Sequence, residues 1–298
     1  MEKQDRQPML RALRLARRGV GRVSPNPPVG AVAMRDGEVI AEAWHRKFGA
    51  PHAEAALIAS LPAGACRGCD LYVTLEPCAH HGKTPPCTEA ILDAGFLRVF
   101  YAARDPHPLT RGVGQEQLQA AGVGVEGGLC EESARDLLAP YFRLTTAGVP
   151  LVTCKWAMTA DGHIATRSGD SHWISDALTR RRTRRERCGY DAILVGRRTV
   201  EADHPRLISD IRGRPNPLRV VLDSRLRLSP EDPLVKTATL APVLVATVNH
   251  VSDPRQGERR RCLEDQGIEV LCLPGAPAGV DLGALLQALG QRGVANLL

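Results

Sequence analysis

Residues 74–87 read Thr-Leu-Glu-Pro-Cys-Ala-His-His-Gly-Lys-Thr-Pro-Pro-Cys, and residues 52–54 read His-Ala-Glu. The imidazole of His52 and the thiolates of Cys78 and Cys87 are ligand types that zinc prefers. Three protein ligands leave one coordination position open for water, as in a catalytic zinc site. Glu54 lies two residues from His52 and is suited to move protons as a general acid and base. These residues therefore predict a site at which zinc activates water.

The sequence on both sides of this motif predicts strands that alternate with helices, which is typical of a layered α/β domain. The pair Asp36-Gly37 favours a tight hairpin between the first two strands. The predicted helices are 8–18, 51–61, 88–94 and 115–121, and the predicted strands are 29–34, 39–44, 71–75, 97–102 and 123–126. The motif residues then lie at the ends of helices and strands.

A length of 298 residues favours two domains. The turn-rich residues 145–150 predict a boundary, with one domain at 1–146 and a second α/β domain at 150–298. Strands are predicted in the second domain at 151–158, 192–195, 218–222, 243–247 and 268–273. Residues 294–298 resemble an unfinished strand, so we expect this domain to be truncated at its C-terminus.

Composition and charge exclude several classes of protein. The chain has no apolar run long enough to span a bilayer and no export signal, so we expect a cytoplasmic protein with no membrane partner. Nine cysteines without an export signal favour thiols or metal ligands over a disulfide framework. The net charge is +6, and residues 180–187 hold six arginines. This run is either a site for a phosphate or nucleic acid or a solvated helix face.

Residues 79–86 separate Cys78 from Cys87, whereas the usual deaminase motif has two residues between its cysteines. Residues 74–87, together with Pro-Asn-Pro-Pro-Val-Gly at 25–30, closely resemble the pyrimidine deaminase of riboflavin biosynthesis. Residues 155–161, 169–174 and 196–205 resemble the reductase half of the same bifunctional enzymes. The chain is thus identified by resemblance as a member of the RibD family, almost over its whole length.

The resemblance implies a cytidine-deaminase-like α/β/α layered domain with His52, Cys78 and Cys87 as zinc ligands and Glu54 as the proton shuttle. The substrate implied is 2,5-diamino-6-(ribosylamino)pyrimidinone 5′-phosphate, which loses an amino group as ammonia. Asn26 would hydrogen-bond the ribose or the ring edge, and Lys83 would meet the phosphate. Asp105 and His107 are placed near the same site, and relatives often have asparagine at the second position.

For the second domain, the resemblance implies a dihydrofolate-reductase-like fold that uses NADPH to reduce the ribose to a ribityl chain. No G-x-G-x-x-G motif occurs, which neither supports nor excludes this reading. The family pattern also implies a homo-oligomer. The residues implied to contact NADPH are Ala157, Trp173, Thr199, Asp203 and Ser224, and those implied to contact the substrate are Ser171, Arg187, Leu207 and Arg212.

The family continues after residue 298 into a Val-Glu-Gly-Gly segment near the cofactor, so we expect this polypeptide, taken as a whole protein, to deaminate but to reduce poorly. Two alternatives remain. A tRNA-editing adenosine deaminase would use the arginine run on RNA, although it should keep the short cysteine spacing. A zinc-stabilised binding module without enzymatic activity would hold zinc through Cys66, Cys69, Cys78 and Cys87.

Overall fold

The computed structural model describes residues 6–81, 85–171, 173–209, 211–249 and 253–298. The chain divides into two units, the first ending at Gly148 and the second beginning at Val149. Each unit is an α/β domain with its own sheet and its own buried core. Within the described residues, no helix is long and apolar enough to cross a membrane.

The first domain is built on a mixed five-stranded sheet in the order β2-β1-β3-β4-β5. Strand β1 is antiparallel to both of its neighbours, whereas β3, β4 and β5 are parallel. Its elements are α1 (Arg6–Ala16), β1 (Gly30–Arg35), β2 (Glu38–Trp44), α2 (Ala53–Ile58), β3 (Asp70–Leu75), α3 (Cys87–Ala94), β4 (Arg98–Ala103), α4 (Val113–Ala120), β5 (Gly124–Gly127) and α5 (Glu131–Ala147).

Two local features of the sequence explain how this sheet begins. Asp36 and Gly37 both have positive φ angles, 50° and 83°, which join β1 and β2 in the predicted hairpin. Helix α1 packs against β1, β2 and β3. The contact is close at Gly30, where a Cβ atom would overlap the carbonyl oxygen of Ala12. A side chain at position 30 would therefore push α1 off the sheet.

The carboxyl ends of the parallel strands gather the polar residues of this domain at one edge of the sheet. Glu76, Pro77 and Cys78 follow β3 directly, and Asp105 follows β4. Helix α2 begins directly after His52, and helix α3 begins at Cys87. Ligand sites in α/β sheets lie outside the carboxyl ends of strands. The topology thus creates a site from segments that are distant in sequence.

Helix α5 is the main correction to the sequence-based description of this domain. It spans 17 residues, from Glu131 to Ala147, and it was not predicted. The apolar residues Ala134, Leu137, Leu138, Tyr141 and Phe142 follow helical spacing and pack against the core. Residues 145–147, expected in a turn, form its last turn before Gly148 ends it in a left-handed conformation.

The second domain contains a six-stranded parallel sheet in the order β10-β9-β8-β7-β13-β6, and a small antiparallel pair, β11-β12. Helices separate most of its strands. Its elements are β6 (Leu151–Val152), α6 (Ala177–Glu186), β7 (Ala192–Gly196), α7 (Arg197–Asp203), β8 (Leu218–Leu222), α8 (Pro233–Lys236), β9 (Val243–Val248), α9 (Gln256–Glu264), β10 (Glu269–Leu273), β11 (Gly275–Ala276), β12 (Gly279–Val280), α10 (Leu282–Gln291) and β13 (Asn296–Leu297).

Two predicted strands of this domain differ from the structure. The strand predicted at 151–158 ends at Val152, because the residues after it leave the sheet and several of them are exposed. The segment expected to be an unfinished strand is paired on both sides. Strand β13 lies between β6 and β7, and the amide of Leu298 donates to the carbonyl of Ala192 over 3.0 Å.

The arginine run forms most of α6, which has no buried residue along its length. Arg182 is paired with Glu186 one turn later, at 2.9 Å. Arg180 differs from the others, because its guanidinium lies over the ring of Trp173 at 4.4 Å. Most of the arginine run is therefore a solvated helix face, which was one of the two interpretations that the sequence allowed.

Arg219 is a fully buried arginine in β8, and it binds three segments of the second domain together. Its Nη1 donates to the carbonyl of Arg206 at 3.0 Å and to Oγ1 of Thr237 at 2.8 Å. Its Nη2 donates to the carbonyls of Thr237 and Ala241, at 2.8 and 2.5 Å. Burial lowers the pKa of Arg219 to about 10, so the group stays charged at neutral pH.

We expect Arg219→Met to lower the free energy of unfolding of the second domain by about 3 kcal/mol, because it leaves several buried acceptors without a donor. Denaturant unfolding followed by circular dichroism measures this change. Arg181→Met, on the exposed helix α6, is the control and should shift stability by no more than about 0.5 kcal/mol. Equal effects of the two substitutions would contradict the assignment of a structural role to Arg219.

Candidate active site

The first domain brings together the three predicted zinc ligands. Nδ1 of His52 lies 3.3 Å from Sγ of Cys87 and 3.6 Å from Sγ of Cys78. His52 precedes α2 and Cys87 begins α3, so two helix starts and the end of β3 supply the group. All the ligand atoms lie within 4.8 Å of one another, and this is the metal-ligand cluster found among the described residues. One imidazole and two thiols fit zinc, with one position left open.

The electrostatics of the cluster also fit a metal site. Hydrogen bonds from the Cys87 thiol and from His52 lower the pKa of Cys78 well below its usual value. The pKa of Cys87 is raised by its hydrogen bond to Cys78 and by burial. The amide of Cys87 also donates to Sγ of Cys78 over 3.4 Å. A thiolate is thus favoured at Cys78 before any cation is considered.

Glu54 lies in the first turn of α2 beside the cluster, and only 4% of its surface is exposed. Burial raises the pKa of its carboxyl, and the charge on His52 opposes part of that rise. A carboxyl with a raised pKa takes up and releases a proton more readily near neutral pH than an exposed one. The position therefore suits a proton shuttle.

A cavity of about 320 Å³ opens in front of the cluster. On one wall, Nδ1 of His45 lies 3.0 Å from the carbonyl of Pro51, which can only accept, so Nδ1 carries the hydrogen. Nε2 of His45 then accepts from Nδ2 of Asn26 at 3.3 Å, which fixes the orientation of the Asn26 amide. The residues that line the cavity are Asn26, Pro27, Val29, His45, Phe48, Gly49, Ala50, His52, Glu54, Leu75, Glu76, Cys78, His80, Asp105, His107 and Tyr141.

A second wall of the cavity carries two buried carboxyl groups. Glu76 receives hydrogen bonds from the amides of Asp105 (3.3 Å) and Gly112 (2.8 Å). Oδ1 of Asp105 accepts from the amide of His107 at 2.9 Å and from the hydroxyl of Tyr141 at 3.0 Å. Burial raises the pKa of both carboxyl groups. This wall is therefore polar and tightly hydrogen-bonded.

His107 and its neighbours complete this wall. The rings of His80 and His107 are stacked with their centroids 5.4 Å apart. Nδ1 of His80 lies 3.2 Å from Oγ1 of Thr110. The family resemblance placed Asp105 and His107 near the site and sequence reasoning kept His80 as a secondary candidate, but neither gave a role to Glu76 or Tyr141. For Tyr141 the helical spacing of 134–142 was the available signal.

Cys66 and Cys69, which the structural-zinc alternative requires, are both buried in the hydrophobic core of the first domain. The thiol of Cys69 donates to the carbonyl of Ala65 at 3.6 Å. Neither residue belongs to the metal-ligand cluster found in the described part of the chain. The four-thiolate arrangement therefore has no support in this structure.

In the second domain, three of the five residues implied to contact NADPH follow the carboxyl ends of the neighbouring parallel strands β7 and β8. Thr199 and Asp203 lie on α7, which begins directly after β7, and Ser224 is the second residue after β8. Ala157 lies in the irregular segment after β6, and Trp173 lies later in the same connection. This edge of a parallel sheet is the usual position of a nucleotide site, so the arrangement fits the cofactor.

Trp173 and Ser171 border an open pocket of about 480 Å³ in the second domain. The Trp173 side chain is 67% exposed, and the Arg180 guanidinium lies over its ring. The other residues that line this pocket are Thr159, Asp161, His163, Ala165, Thr166, Arg167, Asp170 and Ile174.

The remaining predicted substrate contacts lie in different environments. Arg187 is half-buried at the end of α6, and its Nη1 donates to the carbonyl of Ile208 at 3.2 Å. Leu207 has a positive φ of 51° and a side chain inside the core, so only its backbone is available to a ligand. Arg212 is exposed. Lys83 lies outside the described residues.

The fold and the site define a two-domain protein, with a zinc-dependent deaminase domain followed by a second α/β domain. Residues 2–103 match the cytidine and deoxycytidylate deaminase zinc-binding region, and residues 150–298 match the RibD C-terminal domain. The chain belongs to the RibD family of riboflavin biosynthesis proteins.

Two relatives and two solved structures illustrate the similarity. The riboflavin biosynthesis protein RibD of Actinobacillus pleuropneumoniae is 42% identical, over 97% of this chain and 76% of its own length. The RibD protein of Aquifex aeolicus is 40% identical, over 99% of this chain and 80% of its own length. A Thermotoga maritima diaminohydroxyphosphoribosylaminopyrimidine deaminase/5-amino-6-(5-phosphoribosylamino)uracil reductase has a TM-score of 0.86 at 38% identity. The structure of Acinetobacter baumannii RibD has a TM-score of 0.87 at 35% identity. Each of the two alignments covers 99% of this chain and 80% of the solved structure.

Membership of this family answers the question that the sequence left open between three classes of protein. The relatives match both domains together, whereas a tRNA-editing deaminase or a zinc-stabilised binding module would account for the first domain alone. The fold class predicted from sequence, a deaminase-like domain followed by a reductase-like α/β domain, is confirmed.

Proposed function

We propose that this chain carries out two steps of riboflavin biosynthesis, a hydrolytic deamination in the domain at 1–146 and an NADPH-dependent reduction in the domain at 150–298. The observation that carries the proposal is the cluster of His52, Cys78 and Cys87 beside a buried Glu54, at the base of a cavity in a chain of this family. The proposed substrate is 2,5-diamino-6-(ribosylamino)pyrimidinone 5′-phosphate, which the Thermotoga relative's activity supports.

In the deaminase domain, His52, Cys78 and Cys87 would hold the zinc ion. When bound, zinc lowers the pKa of a coordinated water to about 7. Glu54 accepts a proton from water at its carboxylate and later donates one to the leaving nitrogen. The ring carbon thereby gains oxygen and loses its amino group as ammonia. Burial raises the pKa of Glu54, which suits the carboxyl both to accept the proton from water and to donate it to the leaving nitrogen.

Binding of the pyrimidine is assigned to the wall formed by Asn26 and His45. Because His45 holds the Asn26 amide in one orientation, Asn26 presents fixed groups to the ribose or ring edge. We propose Lys83 as the contact to the substrate phosphate, on the basis of family resemblance.

In the reductase domain, NADPH supplies the hydride that reduces the opened ribose. We propose Ala157, Trp173, Thr199, Asp203 and Ser224 as cofactor contacts. The position of Thr199, Asp203 and Ser224 after the carboxyl ends of β7 and β8 supports this assignment.

The substrate of the reductase domain is assigned to a separate set of residues. Ser171, Arg187, Leu207 and Arg212 are the proposed contacts, with Arg187 suited to a phosphate through its guanidinium. Ser171 borders the same open pocket as Trp173, which supports its place beside the cofactor.

Ammonia release from the diaminopyrimidine ribose phosphate, with and without a zinc chelator, tests the deaminase half. NADPH absorbance in the same sample tests the reductase half. Because the strand that the sequence analysis took as unfinished is paired on both sides, we expect NADPH oxidation to follow chelator-sensitive ammonia release, in place of the poor reduction expected from sequence alone. Zinc-loaded, folded protein that releases no ammonia would overturn the proposed function.

Trp173→Ala is expected to raise KM for NADPH about tenfold, because a stacking surface for the cofactor is lost. Ammonia release should stay unchanged, since the deaminase site lies in the other domain. Steady-state kinetics of both reactions measure the two effects, and Trp173→Phe should restore most of the affinity. An unchanged KM for NADPH in Trp173→Ala would remove Trp173 from the proposed cofactor site.

Cytoplasmic location and assembly as a homo-oligomer are further proposals. The first is supported by the chain's many cysteines and the second by family resemblance. Sedimentation analysis of the purified protein measures the oligomeric state.

A further inference from the structure

Tyr141 is a cavity residue for which the deamination chemistry described above provides no role. It lies in α5, which carries no other residue of the cavity wall in the described chain. Its ring packs against the core of the first domain, and its hydroxyl reaches Asp105 across 36 positions of sequence. This tertiary contact places a phenol against a carboxylate that lines the same cavity.

The hydrogen bonds at Asp105 divide its two oxygen atoms into different roles. Oδ1 accepts from the Tyr141 hydroxyl at 3.0 Å and from the His107 amide at 2.9 Å. A carboxylate oxygen has two acceptor positions, so Oδ1 is saturated. Oδ2 has no hydrogen-bond partner among the described residues, although Asp105 is only 5% exposed and borders the cavity. One oxygen anchors the group, and the other is left for a ligand.

The backbone of Asp105 is fixed as well. Its amide donates to Glu76 at 3.3 Å, and Glu76 also receives the amide of Gly112. The remaining motion of this residue is rotation of its carboxylate group. The hydrogen bonds from the Tyr141 hydroxyl and the His107 amide restrict that rotation. Without the Tyr141 hydroxyl, Oδ1 keeps one hydrogen bond, from the His107 amide, and the carboxylate can rotate more freely.

We propose that Tyr141 is a positioning residue of the deaminase site, which orients Asp105 so that its Oδ2 receives a hydroxyl or N–H donor of the bound substrate. The inference rests on the proposed deaminase function. Such a contact is present in the bound substrate and in the transition state alike, so its loss changes KM more than kcat.

The test compares steady-state deamination by zinc-loaded wild type, Tyr141→Phe, Asp105→Asn and the double variant. Tyr141→Phe keeps the ring and removes the hydroxyl. It should raise KM about tenfold, with kcat within about twofold of wild type, as expected for a hydrogen bond to a charged group. In the Asp105→Asn background, the same change should alter KM by less than about twofold, because Tyr141 acts through Asp105.

Tyr101→Phe is the matched control. Its hydroxyl donates to Oε1 of Gln115 at 2.6 Å, it is buried in the same domain, and it does not line the cavity. It should leave KM unchanged. If Tyr141→Phe resembles Tyr101→Phe, or if it raises KM equally in the Asp105→Asn background, the proposal is overturned. Absence of ammonia release from the wild type would instead overturn the proposed function itself, and this inference with it.

Discussion

Replacing Glu54 by glutamine is expected to lower kcat for deamination by about 10²- to 10⁴-fold, because the amide cannot carry a proton from water to the leaving nitrogen. The substitution keeps the size of a side chain that is almost fully buried. Zinc content, measured by atomic emission, should stay at the wild-type level, since Glu54 is not a member of the ligand cluster. Ammonia release under substrate saturation measures the loss.

Glu89→Gln is the matched control for this prediction. Glu89 is an exposed glutamate in the first turn of α3, in the same domain, and it is paired with His81 at 3.7 Å. It should deaminate at the wild-type rate. Full activity in Glu54→Gln would show that another group transfers the proton. A parallel loss of zinc would show that Glu54 acts on the metal site and not on the reaction.

Cys87→Ser is expected to abolish zinc binding and to reduce deamination by about 10³-fold or more, because water is no longer activated at the site. Among the described residues the cluster has three protein ligands, and Cys87 contacts both of the others. Its loss also removes the start of α3 from the site, so the Tm of the first domain should fall. Metal analysis, ammonia release and differential scanning calorimetry measure these effects.

Cys130→Ser serves as the control, since Cys130 is a half-buried cysteine of the same domain that lies outside the cluster. Its zinc content and activity should match the wild type. NADPH oxidation with the deaminated substrate should continue in Cys87→Ser, because the proposed reductase site lies in the other domain. Retention of zinc and of ammonia release in Cys87→Ser would refute the assignment of this residue as a ligand.

The two carboxyl groups of the polar wall, Glu76 and Asp105, owe their place in the site to the packing of the sheet. Glu76 belongs to the quoted stretch 74–87, yet its function as an acceptor for the amides of Asp105 and Gly112 depends on where α4 begins. Nothing in the local sequence specifies this. The wall exists because the ends of β3 and β4 are neighbours in a parallel sheet.

The sequence by itself predicted the residues of the metal-ligand cluster and the class of fold. Zinc accepts few residue types, so His52, Cys78, Cys87 and Glu54 are recognisable from their chemistry and spacing. The hairpin at Asp36-Gly37 was also predictable, because its backbone preferences are local. Most core strands followed from runs of apolar residues, which reflect burial directly.

Only the tertiary structure decided which residues surround the reacting centre. Helix α5 was not predicted, and with it the contact between Tyr141 and Asp105 stayed hidden. The exclusion of Cys66 and Cys69 from the metal cluster likewise required their positions in the core. Ligand chemistry and short-range backbone preferences are written in neighbouring residues, whereas contacts across tens of residues depend on how helices and strands pack together.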